Sequence, residues 1–247
     1  MSRFFIDKDC ISGEYINITG EDVQHIRKVL RMRPGEKLTA CDMNGTDFEC
    51  ELDSIDEKNV KAHILQRRES DTEAPIKVTL FQGVPKADKM ELIIQKCVEL
   101  GVYSIVPVKT DRTVVKFENA RDEEKKQQRW QKIAVEAAKQ CNRGRLPEVN
   151  KPVGFNEALM AAKGYDLVLV PYENEDKKGL KQVLKSSGDV KSIAFFIGPE
   201  GGFTEEEIAK SIDLGYLSVS LGKRILRTET AGLTVLSILM YELGDVG

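Results

Sequence analysis

IGPEGGFTEEEIAK, residues 197–210, decides how this chain is read: the apolar run IAFFIG (193–198) ends, a turn of Gly, Pro and Glu follows, and a helix begins. Thr204 and Glu207 stand at capping-box spacing, each satisfying the other's end of the first helical turn. Phe203 and Ile208 fit the accompanying hydrophobic staple. A strand, a glycine turn and a capped helix ordinarily suggest phosphate binding, because free backbone N–H groups and the positive helix end attract anions. Here the chemistry opposes it. Glu200 stands where a P-loop carries Lys, three glutamates follow at 205–207, and neither GxGxxG nor GxxxxGK[ST] is present. A glycine loop bearing a carboxylate suits a neutral or cationic ligand better.

Outward from that stretch, apolar runs and helical patterns alternate from Ile76 on. The expected order is strand IKVTLFQGV, helix 88–100 closed by Gly101, strand YSIVPV, a long helix near 121–141, strand YDLVLV (165–170) and helix 177–186. IAFFIG, helix 205–214, strand YLSVSLG and a last helix near 229–243 complete it. Continuously apolar strands separated by helices imply a parallel sheet covered on both faces. Such sheets bind ligands at the carboxyl ends of their strands, which singles out the loops after LVLV, IAFFIG and SVSLG.

The first third reads differently. RFFI, EYINI, EKLTACD, TDFECELDSI and NVKAHIL are short strand patterns, with Asn44-Gly45 as a type I′ hairpin signal. One helix is expected over 20–31, with Thr19 as N-cap and Arg33-Pro34-Gly35 as its end. This predicts a small β-barrel with one helix over residues 1–70, the polar stretch RRESDTEAP (67–75) as boundary, and an α/β domain over 74–247.

The bulk properties narrow the classes. The five cysteines are odd in number and include no CxxC pair, and there are only two histidines, so neither a disulfide framework nor a metal site is indicated. No apolar run is long enough to cross a bilayer and MSRFFIDKDC has no signal-like h-region, which predicts a cytoplasmic protein without membrane association. The net charge of −3 discourages nucleic-acid binding as a sum, but HIRKVLRMRPGEK (25–37) is locally basic.

LGKRILRTETAG (221–232) gathers Lys223, Arg224 and Arg227 beside Glu229, with Thr228 and Thr230 available as caps for a helix apolar on nearly every side. Such a helix is buried by its own domain or by a second copy. GPEGGFTEEEIA followed by LGKRILRTETA closely resembles the SPOUT methyltransferases, specifically the RsmE family, which methylates N3 of a uridine in 16S ribosomal RNA. The resemblance extends through PKADKMELIIQKCVELGV and RWQKIAVEAAKQCNRGRLPEV. It implies a PUA-like barrel, a SPOUT-type parallel sheet with a C-terminal trefoil knot, S-adenosylmethionine as cofactor, and a homodimer acting on 16S rRNA within the small subunit. By matching positions, the cofactor pocket comprises Pro171, Ile197, Gly198, Glu200, Gly201, Gly202, Leu221, Gly222, Ile225, Leu226 and Thr228. Ribose-methylating relatives carry an Asn/Arg motif on the first strand of this domain, and IKVTLFQGVPKAD has no such Arg, which favours base methylation.

Weakly acidic N3 must lose a proton as it attacks the methyl carbon. Arg227 is the candidate to stabilise the resulting anion and Glu229 the candidate base; an Arg227 ion pair with Glu229 or Glu200 is the competing structural role. Glu200 equally fits a role holding backbone N–H groups of its own loop. Arg27, Lys28, Arg31, Arg33, Arg143, Arg145 and Arg224 are the candidate RNA contacts. Trp130, Phe195 and Phe196 fall in apolar patterns and are assigned to the core or a dimer interface. Two other classes compete: an RNA-binding assembly factor using the fold as scaffold, which has no need of a cofactor-shaped pocket, and a nucleotide-dependent oxidoreductase, whose phosphate fingerprint is missing.

Overall fold

A computed structural model describes residues 3–246. It resolves into two compact units, 1–73 with 138–146, and 74–137 with 147–247. The linear domain reading therefore differs at one excursion: residues 138–146, expected in the second domain, cluster with the first. The cause is Glu73, whose carboxylate accepts Arg143 Nε at 2.8 Å, Arg143 Nη2 at 2.7 Å, and the N–H groups of Gly144 and Arg145 at 2.9 and 3.0 Å.

The first unit is a curled six-stranded sheet of β1 (Arg3–Phe5), β2 (Ile11–Ser12), β3 (Tyr15–Thr19), β4 (Lys37–Cys41), β5 (Thr46–Ile55) and β6 (Asn59–Glu69), ordered β1-β4-β5-β6-β3-β2. Only β1 and β4 run parallel. Alternating residues such as Ile16, Ile18, Leu38, Ala40, Cys50, Leu52, Val60 and Ala62 point inward and are buried, as a half-covered antiparallel sheet requires. Four local expectations are corrected. Between β4 and β5 the positive φ angles fall at Met43 and Gly45, so Asn44-Gly45 is not a two-residue type I′ turn. Instead the Asp42 carboxylate accepts the N–H of Asn44 and of Thr46 and organises a four-residue connection. The helix starts on Gly20, whose φ of 76° no β-branched residue adopts cheaply, so Thr19 is not its N-cap. It is also shorter, α1 (Glu21–Gln24) passing into a π-turn (His25–Val29) in which Leu30 N–H reaches His25 O. Finally, β6 runs into the stretch read as boundary.

The second unit is a parallel sheet ordered β10-β8-β7-β12-β11-β13, with β9 on β8. Its strands are β7 (Lys77–Gly83), β8 (Ser104–Lys109), β9 (Glu148–Val149), β10 (Val153–Gly154), β11 (Leu167–Pro171), β12 (Ser192–Ile197) and β13 (Leu217–Val219). The helices are α2 (Lys89–Glu99), α3 (Ala120–Gln140), α4 (Phe155–Ala161), α5 (Leu180–Ser186), α6 (Glu205–Asp213) and α7 (Thr228–Leu243). Central strands β7, β11 and β12 are buried almost end to end. Phe81 stacks on Phe196 with ring centroids 4.5 Å apart, and both are buried, as are Trp130 and Phe195; such an aromatic pair contributes about 1 kcal/mol beyond its burial. Gly101, at φ 92°, ends α2 in a Schellman arrangement, with Gly101 N–H on Val98 O and Val102 N–H on Cys97 O. Helix α5 begins later than its expected start at 177, because the Glu175 carboxylate accepts the N–H groups of Lys177 and Lys178 and holds them in a turn. The segment carrying β9, β10 and α4 was not anticipated: its elements are too short for periodicity to register.

Candidate functional site

The cavity lies at the carboxyl ends of β11, β12 and β13. It has a volume of about 440 Å³ and is walled by Pro171–Glu173, Ile197–Phe203 and Leu221–Thr228, with Lys89 and Ala231. All eleven residues expected to hold a cofactor line this one space, as does Arg227.

The first wall is the glycine loop, fixed at both ends. Its exit is the capping box read from the sequence: Glu207 N–H donates to Thr204 Oγ1 and Thr204 N–H to Glu207 Oε2. The other Glu207 oxygen accepts Asp111 N–H at 3.0 Å. Its entrance crosses the end of β7 so closely that a Cβ on Gly83 would sit 2.6 Å from Pro199 N and Cδ. A Cβ on Gly198 would lie 3.0 Å from the Gly202 backbone, and Gly202 itself has φ 68°. These glycines exist because the backbone folds on itself there. Arg112 lays its stem over Gly201 and donates to Gly201 O at 2.7 Å.

The last helix is tied to the same loop. Thr228 Oγ1 donates to Gly198 O at 2.6 Å and accepts from Gln82 Nε2 at 2.9 Å. Thr228 is therefore not the helix cap: Arg227 occupies the N-cap position, without a side-chain capping bond. Thr230 is not the cap either, lying within the helix.

Charge is arranged unevenly. Glu200 accepts Lys86 N–H at 3.1 Å and the Lys89 ammonium at 2.9 Å. Burial raises its pKa, but the Lys89 ammonium and the Lys86 N–H prevail, and the carboxyl titrates below its ordinary value. Lys89 is correspondingly raised, chiefly by its bond to Glu200. Glu229 lies in the first turn of α7, 16 % exposed, with Oε2 3.7 Å from Lys89 Nζ and without a hydrogen-bond partner among the described residues. Glu200 thus ties its loop to the segment after β7, and the cation that meets it and Glu229 is Lys89. Arg227, Lys223 and Arg224 are exposed at the rim.

The candidate RNA contacts separate. Lys28, Arg31 and Arg33 are exposed and Arg27 is half-buried on the π-turn and the segment after it. Arg143 is corrected: it is 4 % exposed and committed to Glu73, a structural ion pair rather than a surface for RNA. Arg145 is half-buried and bridges Asn44. Sequence reasoning missed Gln82, Lys89 and Arg112. Gln82 carried a signal, a polar side chain inside the apolar run IKVTLFQGV; the other two are ordinary surface cations until the fold brings them to the loop.

Two family models match, an RNA methyltransferase domain over residues 72–240 and an RNA methyltransferase PUA domain over 18–65. The chain is 36 % identical to the ribosomal RNA small subunit methyltransferase E of Bacillus subtilis, covering 98 % of this chain and 97 % of the relative. The chain belongs to the ribosomal RNA small subunit methyltransferase E family. A solved methyltransferase E structure from Neisseria gonorrhoeae, bound to S-adenosyl methionine, shares its fold, aligning at TM-score 0.88 with 34 % identity over the whole of both chains. A Legionella pneumophila methyltransferase in complex with the same cofactor aligns at 0.86 and 34 % over 99 % of this chain and 98 % of that one.

Proposed function

We propose that this chain transfers a methyl group from S-adenosylmethionine to N3 of a uridine in small-subunit ribosomal RNA. The observation that carries the reading is the convergence of the two sequence loops, 197–202 and 221–228, on one cavity at the strand ends. The cavity suits this cofactor. It is of small-molecule size and its floor is backbone that glycines leave open. When bound, the cofactor supplies an electrophilic methyl carbon.

The chain's own groups do the rest. Backbone of Gly198–Gly202 and Leu221–Thr228 would hold the adenosyl portion, with Ile197, Leu221 and Leu226 as apolar lining. Arg227, exposed at the mouth, would stabilise the uracil anion, and Glu229, which lies in the first turn of α7 beside the cavity and not in its lining, would take the N3 proton. Alignment of N3 with the methyl carbon supplies much of the rate. Arg27, Lys28, Arg31 and Arg33 contact phosphates through the barrel unit, which fixes register rather than sequence. The protein works as a homodimer, in the cytoplasm, with the knotted C-terminal topology the resemblance implies.

The test is incubation with tritiated-methyl S-adenosylmethionine and small ribosomal subunits from cells lacking this gene, followed by nucleoside analysis. Label in 3-methyluridine is expected. Label in a 2′-O-methyl nucleoside would overturn the base-methylation assignment, and cofactor binding with no label would sink the substrate assignment.

A further inference from the structure

Lys89 is the first residue of α2, where a cation opposes the helix dipole. It is not there for the helix. Its ammonium lies 2.9 Å from Glu200 Oε1 in the glycine loop and 3.7 Å from Glu229 Oε2 in the first turn of α7, and it lines the cavity itself. Three segments distant in sequence therefore meet on one charge. Each carboxylate needs it differently. Glu200 has a second donor in Lys86 N–H, whereas Glu229 Oε2 is buried and lacks any hydrogen-bond partner among the described residues. A buried carboxylate oxygen left in that state is costly, and Lys89 is the cation placed to offset it. Arg227 also acts on Lys89, as a like charge.

We infer that Lys89 is a positioning residue of the methyl-transfer site, coupling the glycine loop through Glu200 to the proton acceptor Glu229. The inference rests on the methyltransferase reading above. Through Glu200 it shapes the pocket for the cofactor; through Glu229 it orients the carboxylate as a new N–C bond forms at N3, the methyl–sulfur bond breaks with its electron pair passing to sulfur, and the N3 proton moves to Glu229.

Two readouts on the full chain separate the links. Without RNA, calorimetry gives the S-adenosylmethionine dissociation constant for Lys89→Met, Glu200→Gln and the double variant. Lys89→Met is expected to weaken binding about tenfold, the double variant no more than twofold beyond the worse single, and Lys89→Arg to stay within about threefold of the parent. With rRNA, the single-turnover rate for Lys89→Met, Glu229→Gln and their combination should show the same lack of multiplication, each single falling about 30-fold or more. A thermal melt within a few degrees of the parent for each variant separates these losses from unfolding. Multiplying effects in both cycles, or Lys89→Met within twofold of the parent in both readouts, would overturn the inference. A parent protein that binds cofactor but labels no RNA overturns the methyltransfer reading instead, and the binding cycle still decides the coupling to Glu200.

Discussion

The two walls of the cavity are built on opposite principles. The glycine loop is cross-linked from all sides: Pro199 lies against Gly83, Thr228 bonds Gly198 O, Arg112 bonds Gly201 O, and Lys86 and Lys89 hold Glu200. The facing segment, 222–227, is mostly surface. Gly222, Lys223, Arg224, Ile225 and Arg227 are all exposed, Ile225 at 88 %, and Gly222 N–H reaches Ser220 Oγ at 3.3 Å. A fixed wall presents a shape at no further entropic cost; a loose one is ordered by what binds, and its affinity is reduced accordingly. The first wall thus presents a preset shape, and the second completes the same cavity with side chains that solvent still reaches.

Breaking the fixed wall should have the largest effect. Gly83→Ala places a Cβ 2.6 Å from the backbone nitrogen of Pro199, and since neither strand end nor loop can retreat cheaply, the expected cost is about 3 kcal/mol. Calorimetry should register no cofactor binding, and denaturant unfolding a lowered midpoint. Normal binding by this variant would mean that the loop is as pliable as its partner. Thr228→Val is next. It keeps the shape but removes the hydroxyl between Gln82 and Gly198 O, leaving buried partners short of a bond at about 1–3 kcal/mol, again readable in denaturant midpoints.

The same contrast explains what could be read in advance. Gly198–Gly202, the capping box and the strand-end placement follow from local chemistry, and local chemistry is present in a linear sequence. So does the alternation that gives the parallel sheet. Lys89 and Arg112 were invisible because their roles arise from residues about a hundred positions away. Arg143 misled for the same reason: as a string, NRGRLP is a basic loop, and only the return of the chain to Glu73 turns its arginine inward. The π-turn was hidden because a single extra residue per turn leaves the apolar pattern of Val23 and Ile26 intact.

Perturbing the loose wall should cost less and affect different constants. Arg227→Ala should leave the cofactor dissociation constant within about threefold while lowering kcat about 100-fold. Collapse of cofactor binding would instead make Arg227 part of the fixed frame. Ile225→Ala should weaken cofactor binding only about fivefold, the share of apolar area a bound ligand covers on so exposed a side chain.

The smallest effect, and the one that returns to the fixed wall, is a dependence on acid. Glu200 titrates below its ordinary value of 4.5 in the folded protein. A carboxyl lowered on folding contributes its stabilisation above the unfolded pKa and loses it as pH falls through the folded one. Cofactor affinity should therefore be flat from neutrality down to about pH 5 and decline only below about pH 4, where Glu200 gains a proton and releases Lys86 N–H and Lys89. In Glu200→Gln that acid limb should flatten. If it persists unchanged, some other carboxylate sets the acid limb, and Glu200 is not what holds this wall.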